Sequence, residues 1–145
     1  MMKSLIAAAL LAATAVPALA RDTPYMLPLA DVLAMPEAKE KLDGSVQFFL
    51  AGAKAPKVVK KLGDDVTKKK TNGVGKADEV ACRWAALSGL IALQDKAKSL
   101  GANAVVDIVS YYGNKTTSHA TDFECHAGAV VVGVTLKGTY ATIRN

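Results

Sequence analysis

Two cysteines, Cys82 and Cys125, are the residues of this chain whose chemistry is most sharply limited. An even cysteine count in an exported protein favours a disulfide, because thiols oxidise outside the cytoplasm. A redox pair normally lies close in sequence, as in Cys-x-x-Cys, and these two residues are far apart. We therefore predict a structural disulfide, which stabilises the fold by roughly 3 to 4 kcal/mol in the chain-entropy model.

A metal site is the alternative use of these cysteines. His119 and His126 could complete a set of four ligands with Cys82 and Cys125, but the spacings match no zinc motif. Strand alternation also puts Cys125 and His126 on opposite faces. No cofactor is expected, and a metal-binding protein using His119 and His126 is the alternative function. It predicts that zinc or copper stays bound through purification.

The remaining reactive side chains form one polar cluster, which is the only candidate for catalysis. Its members are Asp107, Tyr111, Tyr112, Ser118, His119, Asp122, Glu124 and His126. Ser118 and His119 are adjacent in sequence, whereas a catalytic triad needs side chains that converge from separate positions. Histidines and carboxylates at alternate strand positions more often face solvent. We expect a protein that is not an enzyme.

The first 20 residues read as a cleavable secretory signal. Lys3 precedes an apolar run from Leu5 to Val16, and Pro17 leads into the small-residue triplet that ends at Ala20. This order is typical of signal peptides, and the run is shorter than the roughly 20 residues of a membrane span. We expect cleavage after Ala20 and a periplasmic or secreted protein without a stable membrane anchor.

The chain is basic, with a formal net charge of +5 at pH 7. Its one lysine run is Lys68, Lys69 and Lys70. The run lies within a weakly alternating segment, 57–70, that is broken at 63–65 and suits an exposed edge strand or a hairpin arm. Nucleic-acid-binding proteins usually add a basic stripe with aromatic or motif support. We therefore expect no nucleic-acid partner.

A long helix is predicted at 78–99, with Asp78 as N-cap, lysines in the last turn and Gly101 just past its end. Ala86, Leu87 and Leu90 form an apolar patch in the middle of its polar side. That patch needs a cover, which is either the helical segment at 29–42 or another subunit, and the intramolecular cover is favoured. The candidate interaction patch comprises Leu87, Leu90, Lys68, Lys69 and Lys70, and its partner is an unknown protein or a second copy.

The other elements follow from periodicity and turn residues. A helical segment at 29–42 is interrupted before Pro36, and strands are expected at 45–51, 57–70, 104–112 and within 123–143. The predicted fold is α+β, with the order α-β-β-α-β-β. Residues 21–145 form a single domain in which an antiparallel or mixed sheet of about four strands packs on one long helix.

The helix end and the strand after it carry a family resemblance. Residues 93–109, ALQDKAKSLGANAVVDI, with the motif LGANAVV at 100–106, resemble the YbjQ-like and RcsF-like small domains. The later ECHAGAVVVGVTLKGT is similar to the final strand of that layout, and the resemblance covers about 45–143. The motif has a structural reason, since glycine ends the helix and an apolar run enters the sheet.

The resemblance implies a role in the cell envelope. RcsF-like members are disulfide-containing envelope proteins that signal through protein contacts, and YbjQ-like members are similar to ring-forming oligomers. This chain has two cysteines where RcsF-like members have four, and no lipid-accepting cysteine after Ala20. Chains with similar DEVACRWAALSGLIALQ and FECHAGA segments carry the label excinuclease ATPase subunit. We do not expect that activity, because the sequence has no Gly-x-x-x-x-Gly-Lys-Ser/Thr phosphate loop.

Overall fold

The computed structural model describes residues 21–144. The predicted signal peptide, 1–20, and its cleavage after Ala20 lie outside the described residues. Every helix within 21–144 falls short of the length and hydropathy that crossing a bilayer requires.

Six strands form one sheet that curls into a half-barrel, and one long helix packs on it. The strands are β1 (Thr23–Pro28), β2 (Gln47–Leu50), β3 (Val58–Asn72), β4 (Ala104–Ser110), β5 (Asp122–Ala127) and β6 (Val131–Ile143). The helices are α1 (Leu29–Leu33), α2 (Pro36–Lys41) and α3 (Asp78–Ser99), and a 3-10 turn spans Tyr112–Asn114.

Strand β6 organises the sheet. Its first residues pair with β5 and its later residues pair with β4, so the sheet runs β1-β5-β6-β4-β2. Strand β3 pairs antiparallel with β6 on the other side over nearly the whole length of both. The predicted edge strand at 57–70 is therefore correct in position. Its expected interruption at Gly63 is a bulge, because the register shifts between Lys61 and Gly63.

The predicted sheet of about four strands is wrong, since two further strands are present. Strand β1 was not predicted. Its segment TPYMLP contains two prolines, which an edge strand accepts where no ladder hydrogen bond is needed, and β1 pairs only with β5. The segment 123–143 was expected to contain one strand. The turn at 128–130 divides it into the hairpin β5–β6, whose closing hydrogen bond runs from Gly128 N to Val131 O at 2.9 Å.

The helices follow the sequence prediction closely. Helix α3 has the expected bounds, and Gly101 just beyond it has a φ of +74°, which glycine adopts without strain. The N-cap is Ala77 and not Asp78, which begins the helix. The segment at 29–42 contains α1 and α2, and α2 starts at Pro36 as expected.

The disulfide between Cys82 and Cys125 is confirmed. The two sulfur atoms are 2.08 Å apart and both residues are fully buried. The bond joins the first turns of α3 to β5, so it links the helix directly to the sheet.

Strand β4 is buried on both faces, which the sequence analysis did not predict. Asp107 has a φ of +52°, and the register of β4 against β6 shifts between Val106 and Val109. This bulge changes the alternation of side chains. Val105 and Ile108 therefore join the main core under α3, whereas Val106 packs in a smaller cluster with Ala104, Ala141 and Ile143.

Candidate functional site

The three consecutive lysines of β3 do not form one patch. Lys68 and Lys70 are exposed, whereas Lys69 is half-buried. A Cβ atom added at Gly89 of α3 would lie 4.0 Å from the Lys69 Cγ. The stem of Lys69 therefore lies on the helix side of the sheet. Because side chains alternate along a strand, Lys68 and Lys70 project from the other face.

The leucines of the candidate interaction patch do not reach the surface, which is a correction. Leu87 and Leu90 are 1% and 0% exposed. Helix α1 packs against α3, and the Gln94 side chain holds the end of α2. Its Oε1 accepts from the Asp43 N–H and its Nε2 donates to the Lys41 carbonyl, both at 3.1 Å. The cover is intramolecular, as the sequence analysis favoured.

On the face opposite α3, an aromatic pair forms the centre of the candidate site. The rings of Tyr112 and His126 are stacked, with centroids 3.6 Å apart and an interplanar angle of 6°. His126 lies on β5 between Cys125 and Ala127, which face α3, so its own side chain faces the other way. Tyr112 reaches it from the 3-10 turn after β4, where Gly113 has a φ of +61°. The stack fixes both rings on the sheet.

Two carboxylates flank the histidine. His126 Nδ1 lies 2.7 Å from Asp22 Oδ1, and Nε2 lies 3.5 Å from Glu124 Oε1. The contact with Glu124 is long for a hydrogen bond, and Nε2 is buried with no hydrogen-bond partner within 21–144. The His126 side chain is only 14% exposed, whereas that of Asp22 is 55% exposed. His126 is thus a partly buried group, held by Asp22 at Nδ1 and stacked on the Tyr112 ring.

Arg21 anchors the segment that carries Asp22. Its guanidinium donates two hydrogen bonds of 2.8 Å to the two carboxylate oxygens of Asp78, and a third, of 3.2 Å, to the Gly128 carbonyl. The Tyr25 hydroxyl also donates to Asp78, at 2.7 Å. These donors lower the pKa of Asp78 to about 2, the Arg21 hydrogen bond having the largest effect. The start of β1 is thereby tied to the start of α3.

The stacked rings lie beside two connected depressions of about 180 and 310 Å³. Both depressions are lined by Lys70, Tyr112 and Gly133; Lys68 lines the first, and His126 lines the second. We call these five residues the basic-aromatic groove. Gly133 forms its floor between the lysines and the rings, since it pairs with Lys70 on one side and with His126 on the other.

His119 does not join His126 in this site. Its Nδ1 accepts hydrogen bonds from the backbone N–H groups of Thr121 and Asp122, at 3.2 and 3.0 Å. The cysteines are bonded to each other. No cluster of three or more His, Cys, Asp or Glu side chains placed to hold a metal ion occurs among the residues that the structure describes. The alternative metal site at His119 and His126 therefore gains no support from the geometry.

The predicted polar cluster is dispersed, with only part of it at the groove. Tyr112, Glu124 and His126 come together, whereas the Tyr111 ring lies 4.9 Å below the Lys137 ammonium. Asp107 occupies the bulge of β4. The sequence analysis missed the contribution of Asp22, which is 104 residues from its partner His126, and no short-range pattern could have indicated that contact.

No protein-family model, curated protein or solved structure matches this chain. The resemblance to YbjQ-like and RcsF-like domains therefore stays a prediction.

Proposed function

We propose that the chain is an exported, disulfide-braced domain that acts by contact and not by catalysis. Its contact surface is the basic-aromatic groove, and its ligand is an anionic group carried by a protein or a small molecule. The observation that carries this proposal is the placement of Lys68 and Lys70 beside the fixed rings of Tyr112 and His126.

Charge and shape together favour an anion. Lys68 and Lys70 are exposed and take part in no ion pair within the described chain, so their ammonium groups are free to meet a carboxylate or a phosphate. Gly133 leaves room between them and the rings, and a flat aromatic surface accepts the apolar part of a ligand. Arg21 and Asp22 also line the second depression; Asp22 directs its Oδ1 to His126 Nδ1 at 2.7 Å, and Arg21 is paired with Asp78.

The arrangement favours binding over chemistry because the reactive groups are held by structural contacts. His126 lies between two carboxylates and under a tyrosine ring. The nearby Ser110 Oγ accepts the backbone N–H of Glu124 at 2.8 Å, so it braces β5. A nucleophile needs a base within hydrogen-bond reach, and His126 makes its contacts with acids.

Export of the mature chain rests on the leader together with the disulfide. A buried cross-link between distant residues is typical of proteins that fold in an oxidising compartment. The envelope role suggested by the YbjQ-like and RcsF-like resemblance agrees with a domain that works through contacts.

The test is the affinity of the folded chain for two anionic probes, citrate and a hexa-aspartate peptide, at low ionic strength where charge contacts are least screened. We expect the double change Lys68→Glu and Lys70→Glu to lower the affinity for both probes by about tenfold or more, since like charges then face the probe. If only the peptide binds, the ligand is a protein; if citrate binds equally well, a small anion suffices.

The matched control is Lys60→Glu with Lys61→Glu. These lysines are exposed on the same strand but lie outside the groove. The control changes net charge equally and should alter either affinity less than about twofold. Equal losses in the two variants would show a general charge effect and would overturn the proposed site.

A further inference from the structure

Strand β2 leaves one side of the sheet open, far along the strand order from the basic-aromatic groove. It pairs in parallel with β4, and no other strand within residues 21–144 pairs with its outer edge. Strand β2 is only four residues long, and its register against β4 shifts between Phe48 and Leu50. Unlike β3, which is rich in lysine, it reads QFFL and lacks the charged side chains that discourage pairing at an edge.

The backbone of β2 presents free hydrogen-bonding groups at this edge. Gln47 N donates to the Asn103 carbonyl at 3.0 Å, and Ala51 N donates to the Ile108 carbonyl at 2.9 Å. Because N–H and C=O groups alternate in direction along a strand, those of Phe48 point away from β4. The Leu50 N–H points outward as well.

An apolar groove follows the same edge. One depression of about 330 Å³ is bounded by α2 and β2, and a second of about 250 Å³ by α1 and β2. Leu33, Phe48 and Phe49 line both, so the two are continuous. The first is lined by all four consecutive residues from Val46 to Phe49. Consecutive strand residues face opposite ways, so the groove runs along the edge and not over one face.

The chemistry of the groove selects one kind of occupant. Its walls combine leucine, phenylalanine, alanine and valine side chains with Gln47, and Lys39 of α2 adds a positive charge. An extended peptide beside an edge strand binds through its backbone and inserts alternate side chains into flanking pockets. A carboxylate on such a peptide complements Lys39.

We propose that an extended segment of a partner protein, with apolar side chains at alternate positions and an acidic group between them, binds here by adding a strand to β2. This interaction is separate from the anion contact at the basic-aromatic groove. The two depressions beside β2 share no lining residue with the two depressions of the basic-aromatic groove.

The test combines amide hydrogen exchange with a defined probe. In the free protein, the amides of Phe48 and Leu50 should exchange rapidly, because they point to the open edge. The probe is a pool of octapeptides with Leu, Val, Ile or Phe at alternate positions and Thr or Glu between them. Addition of the pool should slow hydrogen exchange at both amides and shift the NMR signals of Leu33 and Phe49. The same pool with N-methylated backbones should bind at least about tenfold more weakly, because it cannot pair with the strand.

A pair of variants distinguishes binding at the β2 edge from nonspecific hydrophobic binding. Leu33 is 39% exposed in the groove, and Leu100 is 38% exposed at the end of α3. Leu33→Glu should lower the affinity for the peptide pool by about tenfold, whereas Leu100→Glu should leave that affinity unchanged. Protection of the Phe48 amide in the free monomer, no response of β2 to the pool, or equal binding of the N-methylated pool would each overturn the proposal. The affinity for citrate at the other groove should not change in either variant.

Discussion

Asp78 joins two parts of the chain that are distant in sequence. It accepts hydrogen bonds from Arg21 and from the Tyr25 hydroxyl, and it lies in the first turn of α3. A carboxylate near a helix N-terminus also interacts favourably with the helix dipole. The residue thus fixes the segment that brings Asp22 to His126, although it does not itself line the groove.

The lowered pKa of Asp78 predicts a specific pH dependence. Its pKa falls from the ordinary value of 3.8 to about 2 in the folded chain, so the unfolded chain binds the proton more readily between these values. The contribution of Asp78 to stability is therefore fully present above about pH 5 and is lost as the pH falls toward 2. Thermal melting of the wild type and of Asp78→Asn should differ most above pH 5 and converge near pH 2.

Asp95→Asn is the control for this prediction, because Asp95 is an exposed residue of the same helix. Its melting curve should follow the wild type at every pH. A difference between wild type and Asp78→Asn that stays constant from pH 6 to pH 2 would contradict the assigned role of Asp78.

Among the elements, the contact between β6 and β4 depends on one glycine. A Cβ atom at Gly138 would lie 2.8 Å from Val105 Cγ1, closer than real contacts allow, and 3.1 Å from Ile108 Cγ1, which is a tight contact. At Gly133 of the same strand, the nearest atoms would be at 3.8 Å, an ordinary contact. The recurrence of glycine at 128, 133 and 138 therefore does not have a single cause.

Gly138→Ala should lower the free energy of unfolding by about 1 to 3 kcal/mol, because the β4 side chains must move out of well-packed positions. Gly133→Ala should change it by less than about 0.5 kcal/mol. Urea unfolding followed by circular dichroism measures both. Equal effects of the two substitutions would mean that β4 and β6 are not packed as described.

The elements differ in how far the sequence predicts them. Helix α3 was predicted with its observed bounds but with the wrong N-cap, since its terminal acids, lysines and following glycine are local signals. Which side chains of β4 face the core was not predicted, because the bulge at Asp107 is imposed by pairing with β6. Strand β1 was hidden by its prolines, which only its edge position makes acceptable.

For the molecule as a whole, the disulfide holds the two layers together. Cys82 and Cys125 are 43 residues apart and join α3 to β5, the strand that carries His126. Changing both cysteines to alanine should reduce the free energy of unfolding by about 3 to 4 kcal/mol, chiefly by freeing the unfolded chain. Urea unfolding of the wild type with and without reductant supplies the comparison, and an unchanged midpoint in the double variant would contradict this role.

The site could be predicted only in part from the sequence. The lysine run and the histidines were visible as residue types, but their grouping depends on the sheet order. Strand β6 lies between β3 and β5 and so brings Lys70 and His126 to either side of Gly133. Leu87 and Leu90 were assigned to an exposed patch, but both are buried and α1 packs against α3, because helix periodicity does not show what packs on a face.

The most direct test of the proposed contact surface is a residue-resolved titration. Amide signals of the ¹⁵N-labelled mature chain would be followed as hexa-aspartate or citrate is added at low ionic strength. The largest shifts should cluster at Lys68, Lys70, Tyr112, His126 and Gly133, with small shifts at Lys60 and Lys61. Shifts spread evenly over the exposed lysines, or confined to residues outside the basic-aromatic groove, would contradict the proposed contact surface.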